Sequence, residues 1–294
     1  MEQIIQQLIN GVSLGSIYAL IALGYTMVYG IINLINFAHG DIYMMGAFVG
    51  YAITTFLGLG FIPSLIISMV ACSILGMVIE KIAYKPLRNS SRISLLITAI
   101  SVSLFLQYIM VYFVGPETRT FPNVLESNRI TFFDGSVILD TKNIYILVIT
   151  VILMCTLQYV VRRTKIGKAM RAVALDKEAA ELMGINVNKV ISYTFAIGSA
   201  LAGAAGVLVG IYYNTIDPLM GSGPGLKAFV AAVLGGIGLI PGAVFGGFFL
   251  GLVETIVSAY GGSVYKDAVA FAILIIILLV KPAGLLGKNV KEKV

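Results

Sequence analysis

Few residues in this chain could carry chemistry. His39 is its one histidine, and the two cysteines, Cys72 and Cys155, lie far apart in apolar stretches. A histidine-centred metal site or a serine triad therefore lacks parts, and no cysteine spacing suits zinc or a disulfide framework. The stretch GSGPGLKA at 221–228 has the look of a phosphate loop but not its G-x-x-x-x-G-K-[ST] spacing. The chain is expected to bind no metal or cofactor and to hydrolyse no ATP itself. Polar groups set in apolar sequence are better candidates. Glu254 stands in an uncharged run, where a charge near the centre of a membrane helix costs about 2.5–3.5 kcal/mol. Such residues usually line an interior cavity or pair with another helix, which would make Glu254 a contact of a translocation path or gate. The alternative is an interfacial acid at a helix end, since Tyr260 is near. Asn33, Asn36, His39 and Asp41 interrupt YGIINLINFAHGDIYMMGAF and could break or cap a helix beside a pore. A satisfied turn at the cytoplasmic surface is the other reading of those four.

A second kind of candidate is the most polar run of the chain, RRTKIGKAMRAVALDKEAAELMGINVNK at 162–189, with seven of the twenty Lys/Arg residues. A basic loop between two spans faces the cytoplasm. Within it, Asp176 can cap a helix, Glu178 sits in the first turn where the helix dipole favours an acid, and Gly184 supplies a stop. Leu175, Ala179, Leu182 and Met183 recur at helical spacing and make one small apolar face. The spacing predicts a surface helix of about two turns, some 10 Å long. Its face suits a groove on a partner, with a helix lying on lipid headgroups as the alternative.

Both kinds of candidate need a scaffold, and composition says which. The 294 residues are 59% hydrophobic and only 12% charged, with mean hydropathy +0.97. Soluble chains carry about 25% charged residues. The reading is an all-α polytopic membrane protein, one domain over 1–294. The net charge of +6 does not point to nucleic acid, because fifteen of the twenty basic residues fall at 80–93, at 162–189 and from Lys281 onward. That is orientation charge, aided by anionic membrane lipid. The N-terminus has no basic leader region and reads as the start of a mature protein.

Apolar runs place spans at about 4–28, 42–57, 64–83, 93–114, 144–161, 190–212 and 268–280. Residues 115–142 carry four acids against three bases and read as an external loop. Between 226 and 260 there are about 35 residues where two full spans need about 40. Gly235, Gly236, Gly238, Pro241 and Gly242 fall mid-run. Two short helices are expected there, meeting at an uncharged turn buried in protein. The total is eight or nine spans, N-terminus outside and C-terminus inside. Small-xxx-small pairs at Gly11/Gly15, Gly46/Gly50, Gly206/Gly210, Gly242/Gly246 and Gly247/Gly251 permit close helix approach. GDIYMMGAFVGY faintly echoes GLIPGAVFGGFF, as in transporters built from internal repeats.

Three blocks carry a family resemblance: NFAHGDIYMMGAF, GKAMRAVALDKEAAELMGINVNKV and LKAFVAAVLGGIGLIPGAVFGGFFLG. Together they resemble the LivH-type permease subunits of bacterial branched-chain amino-acid ABC importers, over essentially the full length. The resemblance implies a multi-pass protein of the inner membrane that moves leucine, isoleucine and valine. It implies that Asp176, Glu178, Ala179, Ala180, Glu181, Leu182 and Gly184 form a coupling helix seated in a groove of an ATPase subunit. It also implies a second permease subunit (LivM-type), two ATPase subunits (LivG- and LivF-type) that use ATP and Mg, and a periplasmic amino-acid-binding protein. Another cargo, such as other amino acids, a sugar or urea, remains open at this stage. A secondary transporter or channel is a weaker reading, because Glu254 and Asp41 are thin material for an ion relay.

Overall fold

The computed structural model describes residues 2–32, 34–88, 90–125, 128–132 and 135–287. Helix α1 (Glu2–Ile32) and helix α8 (Val187–Tyr213) form the centre. Both are rich in Gly, Ala and Ser, so neighbouring backbones approach from several sides and both are buried along most of their length. Helices α2 (His39–Phe56) and α3 (Phe61–Ile79) pack on α8. The pair α9 (Ser222–Gly235) and α10 (Ile240–Ile256) packs on α1. Helices α4 (Arg92–Val114) and α5 (Thr141–Arg163) lie outermost, exposing large apolar side chains such as Phe105, Tyr112, Ile152 and Tyr159. In a bilayer that surface is the lipid-facing one. Helix α11 (Lys266–Val280) closes the chain beside α9 and α10.

Six helices among the described residues are long and apolar enough to cross a membrane: α1, α3 with its extension, α4, α5, α8 and α10 with its extension. Helices α2, α9 and α11, of 18, 14 and 15 residues, are the short elements behind the sequence-based total of eight or nine. Helix α3 runs on through a π turn at Glu80–Tyr84, and α10 through one at Val257–Gly261.

The two ends of the bundle differ. At one end, the Gln6 side chain accepts a bond from the Ile138 backbone at 2.7 Å. The Lys142 ammonium there reaches Asn214 at 2.9 Å. The 115–142 segment thus sits over the start of α1 and the end of α8. It holds two small antiparallel ribbons, Arg119–Thr120 (β1) with Thr215–Ile216 (β4), and Arg129–Phe132 (β2) with Val137–Asp140 (β3). At the opposite end Arg88 donates to Asn188 at 2.6 Å. The backbone of Leu285 donates to Leu234 at 2.8 Å there. The described parts of all three basic clusters therefore gather at one end, and the acid-rich segment at the other.

Candidate functional site

At the basic end, residues 164–186 fold as two helices where the sequence predicts one. Helix α6 (Lys165–Leu175) is amphipathic and buries Gly167, Met170 and Val173 against α5, α1 and α8. Thr164 caps it, accepting from Gly167 N at 3.1 Å. Its signal is the 166/170/173 spacing, hidden in sequence by five flanking cations. Helix α7 (Lys177–Leu182) follows after Asp176, whose carboxylate accepts from Ala179 N at 3.0 Å. Gly184, at φ +81°, ends it. The expected two turns shrink to six residues because α6 takes up the preceding stretch. The residue that packs inward is Ala180, while Glu178, Ala179 and Glu181 face solvent. Leu175, Leu182 and Met183 are more than four-fifths exposed. A cavity of about 450 Å³ lies beside α7, lined by Arg88, Glu178, Glu181, Asn188 and Phe195 among others. Arg88 in its wall pairs with Glu80, which is fully buried and accepts from Ser192 at 2.6 Å.

The polar break between α1 and α2 lies in the interior, which corrects the reading of a turn at the cytoplasmic surface. Asn33 falls outside the described residues. Asn36, His39 and Asp41 are each 1% exposed. Asn36 accepts from the Tyr84 hydroxyl at 2.7 Å. Asp41 accepts from Gln107 at 2.8 Å. His39 stands edge-on to Tyr25, ring centroids 4.8 Å apart, under Gly24 of α1. Gly24 precedes the end of α1 by eight residues, so the chain turns back into the bundle by about 12 Å before α2 begins. Asn36 Nδ2 and His39 Nε2 have no partner among the described residues.

The 235–242 hairpin is present but less enclosed than expected. Gly235, Gly236 and Gly242 are buried, whereas Gly238 and Pro241 are exposed. The turn sits beside the end of α1, with Gly30 against Gly238. Its glycines serve helix contact: Gly235 and Gly242 bring α9 and α10 together with no room for a Cβ.

Glu254 is 4% exposed and is no isolated interfacial acid. It accepts from the Tyr18 hydroxyl of α1 and from the Lys227 ammonium of α9, each at 2.7 Å. Lys227, 8% exposed, also reaches Asp267 of α11 at 2.6 Å, and Lys266 lies 3.7 Å from Glu254. A cavity of about 290 Å³ adjoins this cluster. The sequence reading singled out Glu254 and missed Lys227, Tyr18 and Lys266. Lys227 follows GSGPG, which reads as external turn, yet α9 has already begun at Ser222. Among the described residues no group of histidine, cysteine and carboxylate side chains could hold a metal. The structure does not bring the coupling residues, the 36–41 break and the Glu254 cluster into one site. They lie at the basic end, in the interior, and toward the other end.

The family described as branched-chain amino acid transport system / permease component matches residues 7–278. The chain is 45% identical to the high-affinity branched-chain amino acid transport system permease protein LivH of Salmonella typhimurium, covering 99% of this chain and 97% of that one. It is 44% identical to the corresponding BraD protein of Pseudomonas aeruginosa, covering 99% and 98%. Among solved structures it resembles PsaBC from Streptococcus pneumoniae in complex with Fab. That TM-score is 0.50, with 13% identity over 93% of this chain and 91% of the other, a likeness of fold alone.

Proposed function

The chain belongs to the branched-chain amino acid transport permease family, and on that premise we propose that it is the membrane-spanning subunit of an ATP-driven importer of leucine, isoleucine and valine. It is a multi-pass inner-membrane protein and a transporter subunit, not an enzyme. The observation that carries the coupling is the α6–α7 clasp: a capped helix pair at the basic end with Leu175, Leu182 and Met183 standing unpartnered in solvent. Apolar residues so placed fit the groove of a second protein, and the clasp is wired to α5 on one side and α8 on the other. On this reading the basic end faces the cytoplasm, where two LivG- and LivF-type ATPases bind ATP and Mg and grip the clasp of each permease. A LivM-type permease completes the pair, and a periplasmic binding protein delivers the amino acid at the opposite end.

Closure of the ATPases on ATP moves the clasp, α5 and α8 follow, and the path between the permeases changes the side to which it opens. Glu178→Lys or Ala179→Asp, both on the exposed side of α7, should abolish leucine uptake while the protein stays in the membrane. Normal uptake in both variants would end the docking role. Competition of labelled leucine uptake by isoleucine, valine, sugars and urea tests the cargo.

A further inference from the structure

The cavity beside Glu254 opens at the end that carries the 115–142 segment, where Tyr213 and Thr215 are exposed at its mouth. Its charged lining is balanced, with Lys227 and Lys266 as cations and Asp217 and Glu254 as carboxylates. The rest of the wall is Val209, Met220, Pro224 and tyrosine rings. Tyr43 is 1% exposed and lines this space. A buried ion pair is poor as a structural staple, because desolvating two charges offsets most of their attraction. Ionisable groups inside a bundle usually mark the route of a polar solute.

We propose that this cavity is a binding station for the α-ammonium and α-carboxylate of the transported amino acid, an assignment that rests on the amino-acid importer reading above. The carboxylate takes Lys227 and Lys266, the ammonium takes Glu254 and Asp217, and Tyr43 stands in the wall beside them. The aliphatic side chain lies against Val209, Met220 and Pro224. A zwitterion enters by exchange: the Lys227–Glu254 contact at 2.7 Å opens, and each partner acquires a new counter-charge from the solute. Net charge in the cavity does not change, and no buried group is left bare. A molecule with only one of the two charges replaces one partner of the opened pair and leaves the other to its remaining contacts, Asp267 for Lys227 or Tyr18 and Lys266 for Glu254, so it binds less well than the zwitterion. The volume of about 290 Å³ is at the lower edge of the usual range for small-molecule sites, enough for one amino acid.

The test uses the assembled permease–ATPase complex without its binding protein. Cys155 is changed to Ser, Cys72 is buried, and Thr215→Cys at the mouth becomes the reporter. Modification by a methanethiosulfonate reagent is followed as a mass shift of this chain. Leucine should slow it, reaching about tenfold when leucine is about ten times its dissociation constant, by simple occupancy. At equal concentration, 4-methylpentanoate and isopentylamine, which each lack one of leucine's two charges, should slow modification less than leucine does. Lys227→Met with Glu254→Gln should remove leucine's protection. No protection by leucine, in a complex that imports leucine when the binding protein is added, overturns the station and leaves the importer reading intact. Equal protection by either one-charge analogue, or protection that survives the paired substitution, overturns it too. If the paired variant fails to assemble, the analogue arms on the Thr215→Cys protein decide alone. A complex that imports no leucine even with its binding protein refutes the cargo reading instead.

Discussion

Glu254 and Lys227 show how a charge inside a membrane bundle is held. Each alone would cost several kcal/mol at that depth, and the structure answers with Tyr18, Asp267 and Lys266 around the pair. Breaking one side is therefore worse than removing both. Glu254→Ala leaves Lys227 with the half-exposed Asp267, so its loss of stability should fall below the about 3–5 kcal/mol of a fully stranded buried charge. Lys227→Met combined with Glu254→Gln should unfold closer to the wild type than Glu254→Ala does, measured as thermal unfolding in detergent. A double variant less stable than the single would mean that the pair holds α9 to α10 rather than being held by them. At this scale the sequence was half legible. Glu254 is conspicuous as the one acid in an apolar run, but its partner lies 27 residues earlier behind a glycine-rich stretch that mimics a loop. His39 and Asp41 were visible as interruptions. Their burial was not, since a polar turn at a surface and one drawn into the bundle have the same sequence pattern.

At the scale of elements, backbone proximity organises the fold. Helix α2 meets α8 where Gly46 faces Gly203, and α10 meets α1 where Gly247 and Gly251 face Ala19 and Gly15. Each of the two central helices thus receives one glycine-lined helix, which gives the echo between GDIYMMGAFVGY and GLIPGAVFGGFF a structural counterpart. All five small-xxx-small pairs contribute at least one glycine to such contacts, and Gly210 of the Gly206/Gly210 pair instead receives the ring of Phe121. They were legible because glycine spacing at i, i+4 has few other uses in an apolar helix. Which helix each pair met was not, since the sequence carries no record of partner. A Cβ on Gly46 would fall 2.5 Å from the Gly203 Cα, a backbone atom that cannot turn aside. Gly46→Ala should therefore destabilise by about 1–3 kcal/mol, as overpacking does. Gly223→Ala, in α9 with open space around it, should be neutral or slightly stabilising. The comparison is read as unfolding temperature of the purified protein, and equal effects at the two positions would contradict the packing account. Helix α6 was lost to the sequence reading for the converse reason: its apolar residues are too few among cations to announce a helix without α5 and α8 to receive them.

For the whole molecule, the asymmetry of charge sets the direction of work. Residues 80–88, 162–189 and 281–287 lie far apart in sequence, yet the fold gathers them at one end, with the clasp among them. Basic loops are retained on the cytoplasmic side during insertion, and the 115–142 segment with its excess of acids carries no such signal. On the importer reading proposed above, the same charge distribution that fixes the topology puts the exposed Leu175, Leu182 and Met183 on the side of the ATPases, and the Glu254 cavity on the side from which solute arrives. Cysteine labelling checks this directly, because Cys72 is buried and Cys155 can be replaced by serine. Leu182→Cys, at a position 89% exposed, should react with a membrane-impermeant maleimide only after the inner membrane is opened. Ile130→Cys, at a position 44% exposed on β2, should react in spheroplasts with the membrane intact. The opposite result would put the clasp on the outer side, beyond any ATPase, and the mechanism of coupling through α6 and α7 would fail with it.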